Sequence, residues 1–150
     1  MGQARTICLV GPSGCGKTTL ALALMKRAGI KDQILFDASQ EEKERGCTID
    51  MGIGAFQVDG MSITLLDTPG GDEFLEEMYK AIPVADLTFL VVSAEKAVEV
   101  GTERVWEVTS GGKYPTAILV NHMDKENVDF DVAVDALRSH FEAKLLPIQF

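Results

Sequence analysis

The decapeptide GPSGCGKTTL at residues 11–20 constrains the fold of this chain more than any other stretch. Gly11, Gly16, Lys17 and Thr18 satisfy the spacing G-x-x-x-x-G-K-[ST]. The apolar run RTICLV (5–10) precedes it, and Leu20, Leu24, Met25 and Ala28 follow at helical spacing before Gly29. Strand, glycine-rich turn and helix are what a phosphate-gripping loop needs. Gly11, Gly14 and Gly16 let the backbone curl so that successive N–H groups point at phosphate oxygens, and the helix N-terminus adds its positive dipole end. Lys17 is suited to neutralise the β/γ oxygens of a nucleotide, and the Thr18 hydroxyl to ligate Mg²⁺. Ser13, Cys15 and Thr19 complete the nucleotide-facing loop.

The remaining pattern alternates strands with helices. Residues 31–51 are polar and charged without a sustained period, which reads as a loop or frayed helix. GAFQVDGMSITLLD (54–67) reads as two strands about an Asp59-Gly60 hairpin turn. A short helix is predicted over 72–82, a buried strand over 86–94, a helix over 99–110 and a strand over 115–121. The last element, 131–145, is amphipathic, with Val132, Leu137, Phe141 and Leu145 predicted on one face. The fold class is therefore α/β: a three-layer P-loop sandwich with a mostly parallel sheet and one antiparallel edge strand. One domain spans 1–150.

Composition narrows the partners. A formal net charge of −9 repels nucleic-acid phosphates, so stand-alone, non-specific DNA or RNA binding is not expected, nor is direct sequence-specific nucleic-acid binding by this domain. No apolar run approaches the length of a membrane span, and the N-terminus lacks the apolar segment of a signal peptide. MGQART fits the Met-Gly-x-x-x-Thr acylation pattern, but Thr6 already belongs to the first strand. Cys8, Cys15 and Cys47 form an odd, widely spaced set, which implies neither a disulfide framework nor a zinc site and points to a reducing, cytoplasmic setting. Cys15 and Cys47 are read as small residues rather than thiol sensors, Arg45 as a solvated charge, His140 as a surface residue, and Trp106 and Phe141 as core.

The loop alone does not choose among ATP-driven transporter subunits, small-molecule kinases and GTPases. Two further motifs do. Asp67-Thr68-Pro69-Gly70 follows the apolar run SITLL, where an aspartate at a strand end can hold Mg²⁺ through water and Gly70 can offer its N–H to a γ-phosphate. Asn121-His122-Met123-Asp124 ends the strand PTAILV. A buried carboxylate at Asp124 can accept from guanine N1–H and N2–H₂, a donor pair that adenine lacks. Each motif is weak in isolation; their order and strand-end placement carry the guanine reading.

These residues also carry a resemblance. QEEKERGCTID (40–50) resembles the first switch of translational GTPases, DTPGGDEF (67–74) is similar to their second, and NHMDKENVDF (121–130) to the base-recognition stretch of elongation factor G. SAEKAVEVGTERVW (93–106) also resembles a strand-to-helix segment of that family. The resemblance spans nearly the whole chain and is to the nucleotide domain of elongation factor G or of its elongation-factor-G-like paralogues. It implies binding of GTP or GDP with Mg²⁺ held by Thr18, Thr48 and Asp67. It further implies catalysis by positioning through Lys17, Thr48 and Gly70, and a ribosomal partner in the context of a full-length factor.

The departures matter as much. The family's catalytic histidine falls at Gly71, which has no side chain to orient water. Position 14 is Gly where elongation factors carry Asp, and His122 replaces a base-stacking lysine. A fifth motif, a Ser-Ala pair, is expected beyond the point where the chain stops, so the sequence is expected to be the N-terminal part of a larger factor. Three functions compete: a GTPase switch in which 38–51 and 68–80 respond to the γ-phosphate, a guanine-nucleotide sensor with negligible turnover, and, remotely, a P-loop ATPase, for which no LSGGQ-like signature is present.

Overall fold

The computed structural model describes residues 3–30, 48–71 and 75–148. Arg45, Cys47, most of the 31–51 loop, residues 72–74 and the N-terminal glycine lie outside them. The elements are β1 (Ala4–Val10), α1 (Lys17–Arg27), β2 (Gly52–Val58), β3 (Met61–Asp67), α2 (Leu75–Ala81) with a 3₁₀ turn (Ile82–Val84), β4 (Leu87–Ser93), α3 (Val100–Gly111), β5 (Thr116–Asn121) and α4 (Phe130–Phe141). The five strands form one sheet in the order β2-β3-β1-β4-β5. The β2–β3 pair is antiparallel and the other three pairings are parallel.

The hairpin forms where the Asp-Gly signal lies. Asp59 and Gly60 both have positive φ, 49° and 78°, the pairing whose twist matches that of the flanking strands. The central strands are apolar on both faces because both faces are covered. Cys8 and Val10 of β1 and Leu90 and Val92 of β4 pack with Met78, Ala81, Val105, Ala133 and Leu137, from α2, α3 and α4. Their alternates, Leu9 and Val91, pack with Leu65, Ala21 and Met25, so α1 covers the opposite face. Burying each of the valine, leucine and methionine side chains among them contributes about 1.5–3 kcal/mol.

The last helix corrects the sequence expectation. It ends at Phe141, with Glu142 in left-handed backbone, so Leu145 lies beyond it. Its buried positions are Ala133, Val134 and Leu137, while Val132 is 68% exposed. The Asp129 carboxylate accepts from the Val132 N–H at 3.1 Å and fixes the helix start, and burial of Ala133, Val134 and Leu137 on the inner face turns Val132 to solvent. Trp106 and Phe141, expected in the core, are only partly buried; they stack with centroids 4.6 Å apart across α3 and α4. His140 is exposed, as expected, and its Nε2 meets Glu103 at 2.7 Å. Among the described residues no helix is long and apolar enough to cross a membrane.

Candidate nucleotide site

All four parallel strands deliver their carboxyl ends to one edge of the sheet, the place where open α/β sheets bind ligands. Gly11 follows β1, Thr68 follows β3, Ala94 follows β4 and His122 follows β5. Register aligns them: Leu9 pairs with Asp67, and Ser93 with Asn121.

The loop after β1 holds its shape through glycines in left-handed backbone. Gly11, Gly14 and Gly16 have φ of 142°, 76° and 92°. Gly11 has a second constraint, since a Cβ there would run into the Val91 carbonyl of β4. Ser13, Gly14 and Thr19 are exposed, whereas Cys15 is buried. The Lys17 side chain is buried and turns back on the loop, donating from Nζ to Gly11 O (2.8 Å) and Pro12 O (2.9 Å). Burial pushes the Cys15 thiol above its ordinary range, against the opposing pull of the Lys17 charge. Such a thiol is poorly nucleophilic, in keeping with a packing role.

Three oxygens from separate parts of the chain converge beneath the loop. Thr18 Oγ1 lies 2.9 Å from Thr48 Oγ1 and donates to Asp67 Oδ2 at 2.6 Å. Among the described residues there is no group of three or more His, Cys, Asp or Glu able to hold a metal. The converging set is instead all hard oxygen, two hydroxyls and a carboxylate, which is Mg²⁺ chemistry. Adjacent ligands of an octahedral ion at 2.0–2.1 Å stand about 2.9 Å apart, so the spacing of the two hydroxyls fits such an ion. Asp67 is fully buried at the end of β3, and Thr68 fastens the following turn to β1 by donating its N–H and hydroxyl to Leu9 O at 3.2 and 2.9 Å. That anchor was not foreseen from sequence; its signal was the threonine inside DTPG. Gly70 then rests against the loop: a Cβ there would stand 2.5 Å from Lys17 Nζ and 2.7 Å from Ser13 N. Gly71 follows, half-buried.

On the other side, Asn121 donates from Nδ2 to Cys15 O at 2.9 Å, tying the end of β5 to the loop. His122 has a left-handed φ of 61°, and its Nδ1 lies 3.1 Å from Ser93 Oγ. Ser93 carries no motif of its own in the sequence; its role comes from this contact at the end of β4. Asp124 differs from expectation: it is exposed, not buried. The cause is local, because Lys125 N–H bonds His122 O at 3.3 Å, closing a turn that carries Asp124 beyond the strand end.

Residues 2–148 match the family described as the Elongation factor Tu GTP binding domain. The chain belongs to that family. It is 31% identical to an elongation factor G-like protein of Thermotoga maritima over 97% of this chain and 22% of the relative. It is 33% identical to elongation factor G of Mycoplasma genitalium over 90% of this chain and 21% of the relative. A Thermus thermophilus protein of known crystal structure superposes with a TM-score of 0.83 at 35% identity, covering 91% of this chain and 22% of the other. The chain thus spans about a fifth of the length of the curated relatives it matches. Among the described residues, the loop at 11–18, Thr48, Asp67–Gly70 and Asn121–Asp124 follow or meet the carboxyl ends of the strands at one sheet edge.

Proposed function

We propose that this chain is a guanine-nucleotide-binding domain that binds GTP or GDP with Mg²⁺ and serves as a nucleotide-dependent GTPase switch in translation, acting in the cytoplasm and on the ribosome as part of a full-length factor. The observation that carries this reading is the meeting of Thr18, Thr48 and Asp67 oxygens at 2.9 and 2.6 Å. Thr48 lies within the segment read as the first switch and Asp67 opens the second, so both segments report to one point below the phosphate loop. Thr18, Thr48 and Asp67 are suited to hold Mg²⁺, which when bound neutralises charge on the terminal phosphates. Lys17, released from the loop carbonyls, supplies a cation to the same oxygens, and Gly70 N–H faces the third phosphate. Loss of that phosphate frees Thr48 and Gly70 together. Asn121 holds the loop, His122 stacks on the base and Asp124 accepts from its two donors.

A second reading, a sensor with little turnover, is favoured by Gly71, where no side chain can orient the attacking water. Single-turnover hydrolysis of bound GTP decides between them. A rate rise in Gly71→His supports this account of slow chemistry, and no rise contradicts it. Displacement of labelled GTP by GDP but not by ATP is expected; equal displacement by ATP overturns the guanine assignment.

A further inference from the structure

The ring of His122 spans two elements. Its Nδ1 is engaged by the Ser93 hydroxyl at 3.1 Å, and Ser93 is 6% exposed at the end of β4. Its Nε2 faces the last glycine of the phosphate loop, 3.2 Å from where a Gly16 Cβ would stand. Gly16 caps α1, and its carbonyl accepts from Leu20 N–H at 2.9 Å. A buried hydroxyl thus orients the ring, and the ring presents its other nitrogen to the loop that receives phosphate.

We propose that His122 is a protonation-dependent positioning residue, whose imidazolium form tightens the hold on a guanine nucleotide and whose neutral form loosens it. The proposal rests on the guanine-nucleotide reading above. A positive charge beside the phosphate loop favours an anionic ligand, and the effect is strongest where the ligand itself excludes water. Ser93 serves both forms, because a hydroxyl can donate to a bare Nδ1 or accept from Nδ1–H. Protonation therefore requires no movement of the ring.

Among the described residues, the charged and titratable groups on the neighbouring segments are Lys17 and Cys15 on the loop, Glu95 and Lys96 after β4, and Asp124, Lys125 and the exposed Glu126 after the histidine. Glu95 pairs with Lys125, Lys96 with Glu99 at 2.9 Å, Lys17 with loop carbonyls, and burial keeps Cys15 protonated. Asp124 is left for the base. The chain has two histidines, and the other, His140, pairs with Glu103 between α3 and α4.

The test is equilibrium binding of a fluorescent GDP to the 150-residue chain from about pH 5.5 to 8 at constant ionic strength. The terminal phosphate of GDP titrates in the same range, so His122→Lys, always charged, and His122→Gln, always neutral, give the reference slopes. The wild-type affinity is expected to follow the lysine variant at low pH and the glutamine variant at high pH, with the ratio to the latter changing about three- to tenfold. His140→Gln retains this response, and Ser93→Ala flattens it. Linkage gives a check needing no variant: saturating GDP raises the NMR titration midpoint of the His122 ring. A constant ratio across the range, or a midpoint unmoved by GDP, overturns the proposal. No binding of GDP by the wild type at any pH overturns the guanine reading itself.

Discussion

Replacing Gly70 by alanine tests how closely the second switch rests on the phosphate loop. The backbone of Gly70 lies outside the positive-φ region, so alanine fits it without conformational cost. The penalty is contact. Its Cβ would stand 2.5 Å from Lys17 Nζ and 2.7 Å from the Pro12 carbonyl carbon and Ser13 nitrogen. The lysine end can swing away, but the two backbone atoms cannot. Moving from 2.7 Å to an ordinary 3.4 Å contact displaces residue 70 by about 0.7 Å. Thr68 remains fastened to Leu9, so Asp67 stays in place and the shift falls on residues 69–71. A hydrogen bond from Gly70 N–H to a third phosphate, lengthened by that amount, leaves the 2.7–3.2 Å range of a sound bond. Losing one bond to a charged acceptor costs about 1.5–3 kcal/mol, or about 10- to 150-fold in affinity. The loss is specific to the triphosphate. Titration of Gly70→Ala with GDP and with a non-hydrolysable GTP analogue, both with Mg²⁺, should show GDP affinity within about twofold of wild type and the analogue weakened by that larger factor. Equal effects on the two ligands, or none on either, would refute the argument.

Three further outcomes follow from the same geometry. Asp124→Asn should weaken GTP binding by at least about tenfold and improve xanthosine triphosphate, whose extra carbonyl meets the new amide; unchanged preference removes Asp124 from base recognition. The Cys8 thiol is pushed up to about 12, first by burial and then by the Asp67 charge, from an ordinary 9.0. The unfolded chain therefore loses this proton above pH 9 while the folded chain keeps it, and stability falls as pH rises towards about 12. Urea unfolding between pH 10 and 11 should show wild type losing about 1.4 kcal/mol more than Cys8→Ala; parallel curves count against a buried neutral thiol. Asp129→Ala removes the cap on Val132 N–H and should lower stability by about 1 kcal/mol with nucleotide affinity unchanged, read by urea midpoint and GDP titration.

Much of the fold was legible because its signals are local. The Asp59-Gly60 turn, the strand before Gly11 and the helix after Lys17 each follow from a few neighbouring residues. The misjudged positions involve contacts between distant elements. Periodicity placed Val132 and Leu145 on one helix face; burial of Ala133, Val134 and Leu137 turns Val132 to solvent, and the helix ends at Phe141, so Leu145 packs against the core from beyond it. Trp106 and Phe141 do pack against the core, but as half-buried rings stacked on each other between α3 and α4. Asp124 belongs to a recognisable motif, but its exposure depends on how a four-residue turn leaves β5. Ser93 and Thr68 bear no motif of their own; their roles come from the ring and the carbonyl they meet.

Sequence by itself determined the alternation of strands and helices, the phosphate-gripping turn between β1 and α1, and which residue types were offered to a nucleotide. Turn chemistry and apolar period are properties of short windows, and they survive without the rest of the molecule. Tertiary structure alone decided that the Thr18 hydroxyl lies 2.9 Å from that of Thr48 and 2.6 Å from the Asp67 carboxylate, the latter across 49 positions. It also decided that Asn121 reaches Cys15 across 106 positions and that Gly70 presses on Lys17. Those distances are set by the register of β3 and β4 on β1 and of β5 on β4, and register is settled only when the two faces of the sheet are buried together.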